Sequence, residues 1–219
     1  MLRYGNEEGS VGKMRIGCLA MLLVALPMAA QAYEYPWHHE EHREIRQGTG
    51  WQGGTADQSA QPFTAQVQVD SPATVAFSPN GDGTKVIVRA LDLARRQILV
   101  QAYGFTSAPI IQALGQAQAR GVDVAVLLDK SNETGRYSGA TYLINHRIPV
   151  WIDSSVRIAH NKVMIIDGKT VVTGSFNFTK AAQKDNAENV LILWNAPALA
   201  AAYMRDWQWR KSLSHGFQR

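Results

Sequence analysis

The chain has 219 residues, of which 46% are hydrophobic, and its formal net charge at pH 7 is +4. This length is enough for one ordinary domain with additional segments. Cys18 is the only cysteine, so a disulfide within one chain is excluded. Residues 63–219 carry 17 Lys and Arg against 11 Asp and Glu, a net +6, whereas residues 33–62 carry a net −3. A basic region of this kind suits a polyanion such as nucleic acid or an anionic lipid surface, although the same charge also serves solubility.

Residues 1–32 have the pattern of a secretory signal peptide. Lys13 and Arg15 precede a short apolar run, and small residues follow it up to Ala32. The run of about 15 residues is short for a membrane span, which needs about 20, so an uncleaved anchor is the weaker alternative. We therefore expect the protein to be exported to the periplasm or secreted, with Met14 as an alternative start.

The rest of the chain divides into a linker and a regular region. Residues 33–62 are polar and rich in Gly and Gln without periodicity, which predicts a flexible linker. From residue 63 onward, alternating hydrophobic patterns predict one α/β domain, a mostly parallel β-sheet flanked by helices, over 63–219. In chain order the patterns indicate strands at 64–69 and 73–78, a helix at 84–96, a strand at 97–105, a helix at 108–121, a strand at 122–129, a helix at 139–147, strands at 148–153, 162–166, 170–174 and 188–194, and a helix at 197–213.

An apolar hairpin within this domain is accompanied by four polar residues that a core would not require. An Asp-Gly pair between the β-rich runs 162–166 and 170–174 is a strong hairpin signal. A lysine and two hydrogen-bond donors suit a tetrahedral anion such as phosphate, and a histidine can attack phosphorus or carry a proton near neutral pH. Each residue alone has an ordinary structural explanation, and only the combination predicts a phosphate site. The four residues are His160, Lys162, Ser175 and Asn177.

The length of the hairpin loop decides whether these four side chains share a face of the sheet. A two-residue loop that starts at Asp167 places His160 opposite Ser175, and one that starts at Gly168 places it opposite Asn177. Either register brings the four residues together. A three-residue loop would instead divide them between the two faces.

The sequence around the hairpin resembles the phospholipase D superfamily. "HNKVMIID" followed by "GSFN" matches the signature His-x-Lys-x4-Asp-x6-Gly-Ser-x-Asn at all six specified positions. The resemblance extends over roughly residues 63–215 and is to the short, single-motif, secreted bacterial endonuclease type within that superfamily. It implies a phospholipase D-like fold and a metal-independent phosphodiesterase, with no cofactor.

The resemblance also implies a role for each residue of the site. His160 would be the nucleophile that forms a phosphohistidine intermediate. Lys162 and Asn177 would bind the phosphate oxygens, and Ser175 would support the phosphate site. Glu188, on the strand after the signature, would hold the other ring nitrogen of the histidine.

Further residues complete the candidate set. Asp167 belongs to the signature and joins the candidate catalytic residues, although an Asp before Gly is also what a turn favours, so we expect it to organise structure. Lys130, Arg136 and Lys180 are candidate substrate contacts along a phosphate backbone, with solvated surface as the alternative for each.

Members of the superfamily use two signatures per active site, and this chain has one. The resemblance therefore implies a homodimer in which each chain gives one histidine to a shared site.

The first choice of substrate is nucleic acid, cut with little sequence preference. Hydrolysis of phospholipid head groups is the alternative, and a non-catalytic polyanion-binding module on the same scaffold is the second alternative.

Overall fold

The computed structural model describes residues 64–135 and 138–218, which belong to one unit of the chain, Gly54–Arg219. The predicted signal peptide (1–32) and linker (33–62) lie outside the described residues, and so does Arg136. Within the described ranges, no helix is long and apolar enough to cross a membrane.

Eight strands and six helices form in the described part of the chain. The predicted strand at 64–69 is not among them, because its alternating valines meet no partner strand and Val69 is exposed. The strands are β1 (Ala73–Ser78), β2 (Gln97–Ala102), β3 (Asp123–Asp129), β4 (Val150–Asp153), β5 (Lys162–Ile166), β6 (Thr170–Gly174), β7 (Glu188–Leu193) and β8 (His215–Gly216). The helices are α1 (Gly83–Asp92), α2 (Ala108–Ala119), α3 (Ser131–Thr134), α4 (Ala140–Asn145), α5 (Lys180–Lys184) and α6 (Pro197–Ser212).

The described strands form one mixed sheet in the order β1–β7–β6–β5–β2–β3–β4–β8. Only the pairs β2–β3 and β3–β4 are parallel, and the other neighbours are antiparallel. The predicted α/β fold with flanking helices is confirmed, but the prediction of a mostly parallel sheet was wrong. β5 and β6 are joined by a short turn, and β6 and β7 by the segment 175–187 with the short helix α5, and both pairs are antiparallel neighbours.

Hydrophobic side chains cover both faces of the sheet. One face packs against α1, α2 and α4, where Leu91, Leu114 and Leu143 are fully buried. The other face packs against α6, whose Trp207 is buried and donates from Nε1 to the Val100 carbonyl oxygen at 2.9 Å. Each such side chain contributes about 1.5–3 kcal/mol by leaving water. The two cores hold the central strands firmly enough to position residues at their ends.

Strand directions bring the ends of five strands to one edge of the sheet. β5 runs antiparallel to β2 and to β6, and β7 runs antiparallel to β6. The beginning of β5 at Lys162, the end of β6 at Gly174 and the beginning of β7 at Glu188 therefore lie beside the end of β2 at Ala102. β3, which is parallel to β2, also ends at this edge, at Asp129.

Candidate active site

His160 lies in the irregular segment 154–161, which connects β4 with β5. Its backbone carbonyl accepts a hydrogen bond from Lys162 Nζ at 2.9 Å, and the next carbonyl, that of Asn161, accepts one from Tyr103 N at 2.9 Å. The imidazole packs at a tilt of 57° on the Tyr103 ring, with 4.7 Å between the ring centroids. His160 is exposed to solvent, while the backbone around it is held by these hydrogen bonds.

Lys162 is the first residue of β5 and is buried. Its ammonium group lies 5.5 Å from the centre of the Tyr103 ring. Burial lowers the pKa of Lys162 below its ordinary value, and the nearby charge of Glu188 partly opposes that change. Of its three donors, one is directed to the His160 carbonyl. A buried cation with donors to spare is a natural partner for a phosphate oxygen.

Glu188 begins β7 next to this lysine, and its two carboxylate oxygens have separate partners. Oε2 accepts from Ser175 Oγ at 2.5 Å, and Oε1 accepts from Asn186 Nδ2 at 2.9 Å. Ser175 Oγ in turn accepts from the backbone N–H of Asn189 at 3.1 Å. The predicted contact between Glu188 and the ring of His160 is not formed within the chain, because both oxygens are directed to Ser175 and Asn186.

Asn177 follows the end of β6 and is anchored through its amide oxygen. Asn177 Oδ1 accepts from the backbone N–H of Gly104 at 3.3 Å. A Cβ at position 104 would lie only 3.2 Å from Asn177 Cβ, so glycine at this position allows Asn177 to approach the backbone. With Oδ1 bound in this way, Nδ2 is the half of the amide that can donate to an anion.

The hairpin register differs from both predicted registers. Ile166 pairs with Thr170, which leaves the three residues 167–169 in the loop. By strand alternation alone this register would divide the polar residues between two faces. The chain leaves the pleat at Gly174, where φ is 135° and the Asn189 carbonyl oxygen occupies the space that a Cβ would need.

The predicted residues come together at the edge of the sheet, next to the end of β2 and the beginning of β7. The His160 ring packs on Tyr103, and Asn177 accepts a hydrogen bond from the next residue, Gly104. Ser175 is bonded to Glu188, whose charge acts on Lys162. Among the described residues, no group of three or more His, Cys, Asp or Glu side chains is placed to hold a metal ion.

Asp167 lies outside this cluster, at the opposite end of β5. Its carboxylate accepts backbone N–H groups from Arg95 at 3.0 Å, Arg96 at 2.7 Å and Gln97 at 3.0 Å. Burial alone would raise the pKa of Asp167, but these hydrogen bonds outweigh it and hold the pKa below its ordinary value. The structure therefore places Asp167 where it organises the entry to β2 and cannot touch a substrate held by His160.

Two of the candidate substrate contacts, Lys130 and Lys180, are exposed and lie near the cluster. Lys130 follows β3 and donates from Nζ to the carbonyl of Val156, in the connection that precedes His160, at 3.3 Å. Lys180 is exposed at the start of α5, three residues after Asn177. Arg136 lies outside the described residues, and its role stays a prediction.

Sequence reasoning missed two residues that support the cluster. Tyr103 directly follows β2 and contacts both His160 and Lys162. Asp129 ends β3 and accepts from the N–H of Ala159 at 2.7 Å. Their signal in the sequence was their position, since a polar residue at the end of a buried strand commonly faces a site at the sheet edge.

A comparison with protein families decides the assignment. The family model described as cardiolipin synthase, PLD-like domain, matches residues 87–210, which is more than half of the chain. The chain belongs to the phospholipase D-like family. The predicted fold type and the predicted enzyme class, a phosphodiester hydrolase, are confirmed by this membership.

Individual relatives of this family agree with that result. Phospholipase D of Rickettsia conorii (strain ATCC VR-613 / Malish 7) is 48% identical over 142 residues, which is 65% of this chain and 70% of that protein. The mitochondrial cardiolipin hydrolase of Canis lupus familiaris is 33% identical over 116 residues, 52% of this chain and 46% of that protein. The crystal structure of Nuc from Salmonella typhimurium, a phospholipase D family member, is 40% identical with a TM-score of 0.66 and covers 68% of this chain and 100% of its own.

Proposed function

We propose that the protein is a metal-independent phosphodiesterase that hydrolyses nucleic acid with little sequence preference. The observation that carries this proposal is the grouping of an exposed imidazole with two anion donors at one sheet edge. His160 supplies the imidazole, and Lys162 Nζ and Asn177 Nδ2 supply the donors. Donors fixed in advance around the phosphoryl oxygens stabilise the charge that develops there.

The reaction follows in two steps. In the first, His160 attacks phosphorus, a P–N bond forms, and the P–O bond to the leaving group breaks. A second, protonated histidine gives its proton to the leaving oxygen. In the second step that histidine takes a proton from water, the hydroxide oxygen bonds to phosphorus, and the P–N bond breaks to restore His160.

The second histidine is proposed to come from another copy of the chain. The residues around Lys162 and Glu188 include one imidazole, that of His160, in the part of the chain that the structure describes. The sequence carries one signature, so a complete pair needs two chains. A two-fold axis beside the exposed His160 ring would place two equivalent imidazoles on either side of one diester.

Nucleic acid is favoured as the substrate by charge. Residues 63–219 carry a net +6, and Lys130 and Lys180 are exposed close to the cluster. Contacts with successive phosphates predict binding that weakens steeply as salt rises. The names of the relatives support a second candidate, hydrolysis of phospholipid head groups, since they include phospholipase D and cardiolipin hydrolase.

One assay separates these candidates. The protein is incubated with plasmid DNA and with vesicles of phosphatidylcholine or cardiolipin, always in the presence of EDTA. We expect cleavage of DNA in EDTA, its loss in His160→Ala and its retention in His146→Ala. His146 is a suitable control because it is an exposed imidazole at the end of α4, outside the cluster.

Other results would overturn parts of the proposal. Loss of activity in EDTA with recovery on adding a divalent cation would exclude a metal-independent reaction. Cleavage of the lipids without cleavage of DNA would reassign the substrate. DNA binding that persists in His160→Ala, with no turnover by the parent protein, would instead indicate a polyanion-binding module.

We also propose that the chain is exported, on the strength of the signal-type pattern in residues 1–32. Mass spectrometry of the exported protein should then find an N-terminus just after Ala32. Retention of the whole chain in the cytoplasm would contradict this proposal.

A further inference from the structure

A buried carboxylate at the end of β3 holds the segment that carries the nucleophile. Asp129 is 2% exposed, and its Oδ1 accepts from the backbone N–H of Ser131 at 2.9 Å. Its Oδ2 accepts from the N–H of Ala159 at 2.7 Å. Ala159 directly precedes His160, so this hydrogen bond fixes the chain one residue before the imidazole.

A buried amide three residues later holds the aromatic neighbour of the same imidazole. Asn132 is 6% exposed, and its Nδ2 donates to the carbonyl oxygen of Tyr103 at 2.6 Å and to that of Asp129 at 3.2 Å. The Tyr103 ring is the one that packs on His160. The short stretch 129–132 therefore binds the two chain segments whose rings, those of His160 and Tyr103, pack against each other at a tilt.

The imidazole depends on these backbone supports. Among the described residues, the His160 ring forms no hydrogen bond, and it packs on the Tyr103 ring. Its position is set by where the chain runs at Ala159 and by where Tyr103 presents its ring. An apolar residue would be the ordinary choice at a buried strand end, because a buried carboxylate or amide costs free energy unless its hydrogen bonds are made.

We propose that Asp129 and Asn132 form a clamp that sets His160 against Tyr103, and that both are positioning residues for the nucleophile. This inference rests on the proposed function of His160. Neither side chain touches the substrate. Asp129 acts through the backbone of Ala159, next to His160, and Asn132 acts through the backbone carbonyl of Tyr103. Together they fix the line along which the imidazole meets phosphorus.

Substitution of the two clamp residues should affect catalysis, whereas substitution of an ordinary core residue should affect stability alone. Asp129→Asn keeps the shape of the side chain but presents an N–H donor to one of two backbone N–H groups. Asn132→Ala releases the Tyr103 carbonyl. Because small displacements of reacting groups are costly, we expect each change to lower kcat about ten- to a hundredfold with KM nearly unchanged. The double variant should lose little more than either single variant, because both residues act on one pair.

The assay uses bis(p-nitrophenyl) phosphate as a small diester, so contacts with a long substrate do not enter. A second readout is the ¹H–¹³C spectrum of the histidine rings, in which His160 is assigned by its absence in His160→Ala. The Tyr103 ring shifts the signals of an imidazole packed on it. In both clamp variants we expect the His160 signals to move toward those of a solvated histidine.

Val124→Ala is the matched control, because Val124 is fully buried in the same strand, at the end remote from Asp129. This variant should lose stability while keeping both kcat and the His160 signals. If a folded Asp129→Asn or Asn132→Ala keeps the parent's kcat and ring signals, the clamp is wrong. If the parent itself cleaves no diester, the proposed function fails, and the ring signals alone then test whether the clamp positions His160.

Discussion

At the scale of single residues, the balance between Lys162 and Glu188 sets the charge of the phosphate site. Burial lowers the pKa of Lys162, and the carboxylate of Glu188 raises it again. In Glu188→Gln the opposing charge is absent, so the pKa of Lys162 should fall further. The protonated lysine that binds phosphate would then be lost at a lower pH. The alkaline limb of the kcat/KM profile should therefore move to lower pH. A series of rate measurements at different pH values, with bis(p-nitrophenyl) phosphate as the substrate, checks this.

Glu133→Gln is the control for this prediction. Glu133 is an exposed carboxylate paired with His215 at 3.1 Å, whereas the carboxylate whose charge acts on the pKa of Lys162 is that of Glu188. Its loss should leave the alkaline limb where it is in the parent. An unmoved limb in Glu188→Gln would show that the lysine does not respond to that carboxylate.

Asp167 makes a second prediction at the residue scale, about stability and pH. The pKa of Asp167 lies below its ordinary value in the folded chain, so its stabilisation is fully present above about pH 4. That stabilisation is lost as the pH falls through the folded pKa. Asp167→Asn should cost about 1 kcal/mol at neutral pH, a modest amount because the group is only half-buried.

Thermal unfolding of the parent and Asp167→Asn at several pH values checks this. The difference in Tm between them should shrink as the pH is lowered below about 4. Asparagine tolerates the left-handed backbone that position 167 adopts, with φ of 55°, so the substitution removes the charge and one acceptor oxygen without straining the backbone. A Tm difference that stays constant across the series would mean that the carboxylate charge is not the cause.

At the scale of elements, the end of β6 decides whether the site can form. Gly174 has φ of 135°, a conformation open to glycine, and a Cβ there would collide with the carbonyl oxygen of Asn189. Gly174→Ala should cost about 1–3 kcal/mol of unfolding free energy. It should also lower kcat, because Ser175 and Asn177 would shift with the backbone.

Denaturant unfolding and steady-state kinetics measure the two effects. Gly168→Ala is the informative comparison, because it also replaces a glycine with positive φ, in the loop at the far end of the hairpin, where a Cβ meets nothing within 4 Å. That variant should lose stability but keep the kcat of its folded fraction. Equal losses of kcat in both variants would argue against a special role for the end of β6.

The same hairpin shows what the sequence could and could not predict. Hydrophobic periodicity located β5 and β6 and the helices that cover the sheet, because each periodicity reflects burial on one face. It could not predict the pairing, since period-2 alternation identifies a face but not a neighbour or a direction. Asp167 and Gly168 both have positive φ, as in a two-residue turn, and Lys169 N donates to the Ile166 carbonyl at 3.1 Å. Ile166 nevertheless pairs with Thr170, so the loop contains Lys169 as one residue more than that turn requires, and the local sequence does not predict this addition.

The fixed spacing of the signature predicted which polar residues lie near one another. The signature placed His160, Lys162, Ser175 and Asn177 near one another, and the structure brings all four to one sheet edge. The partners of Glu188 were not predictable, because the contact with Ser175 depends on the departure of the chain from the pleat at Gly174. The supporting residues Asp129 and Asn132 lie about 30 residues before the signature, and only the parallel pairing of β2 with β3 brings them beside it.

At the scale of the whole molecule, the proposed chemistry needs two histidines, and one chain supplies one of them to the cluster. The test is to co-refold equal amounts of the parent and His160→Ala. If each site needs both imidazoles, only dimers of two parent chains are active, which leaves about one quarter of the activity of the parent alone. At the same total protein, chains with independent sites would leave about one half, and a shared site that works with either histidine would leave about three quarters.

The mixture with His146→Ala, an imidazole outside the cluster, should keep full activity and so controls for losses during refolding. Light scattering on the same samples should show a dimer at the concentrations assayed, because mixing can report on shared sites only if chains associate. One quarter and one half are separated well beyond the error of a rate measurement. A monomer with full activity would remove the second histidine from the mechanism, and the proton for the leaving oxygen would then have to come from another group at the same sheet edge.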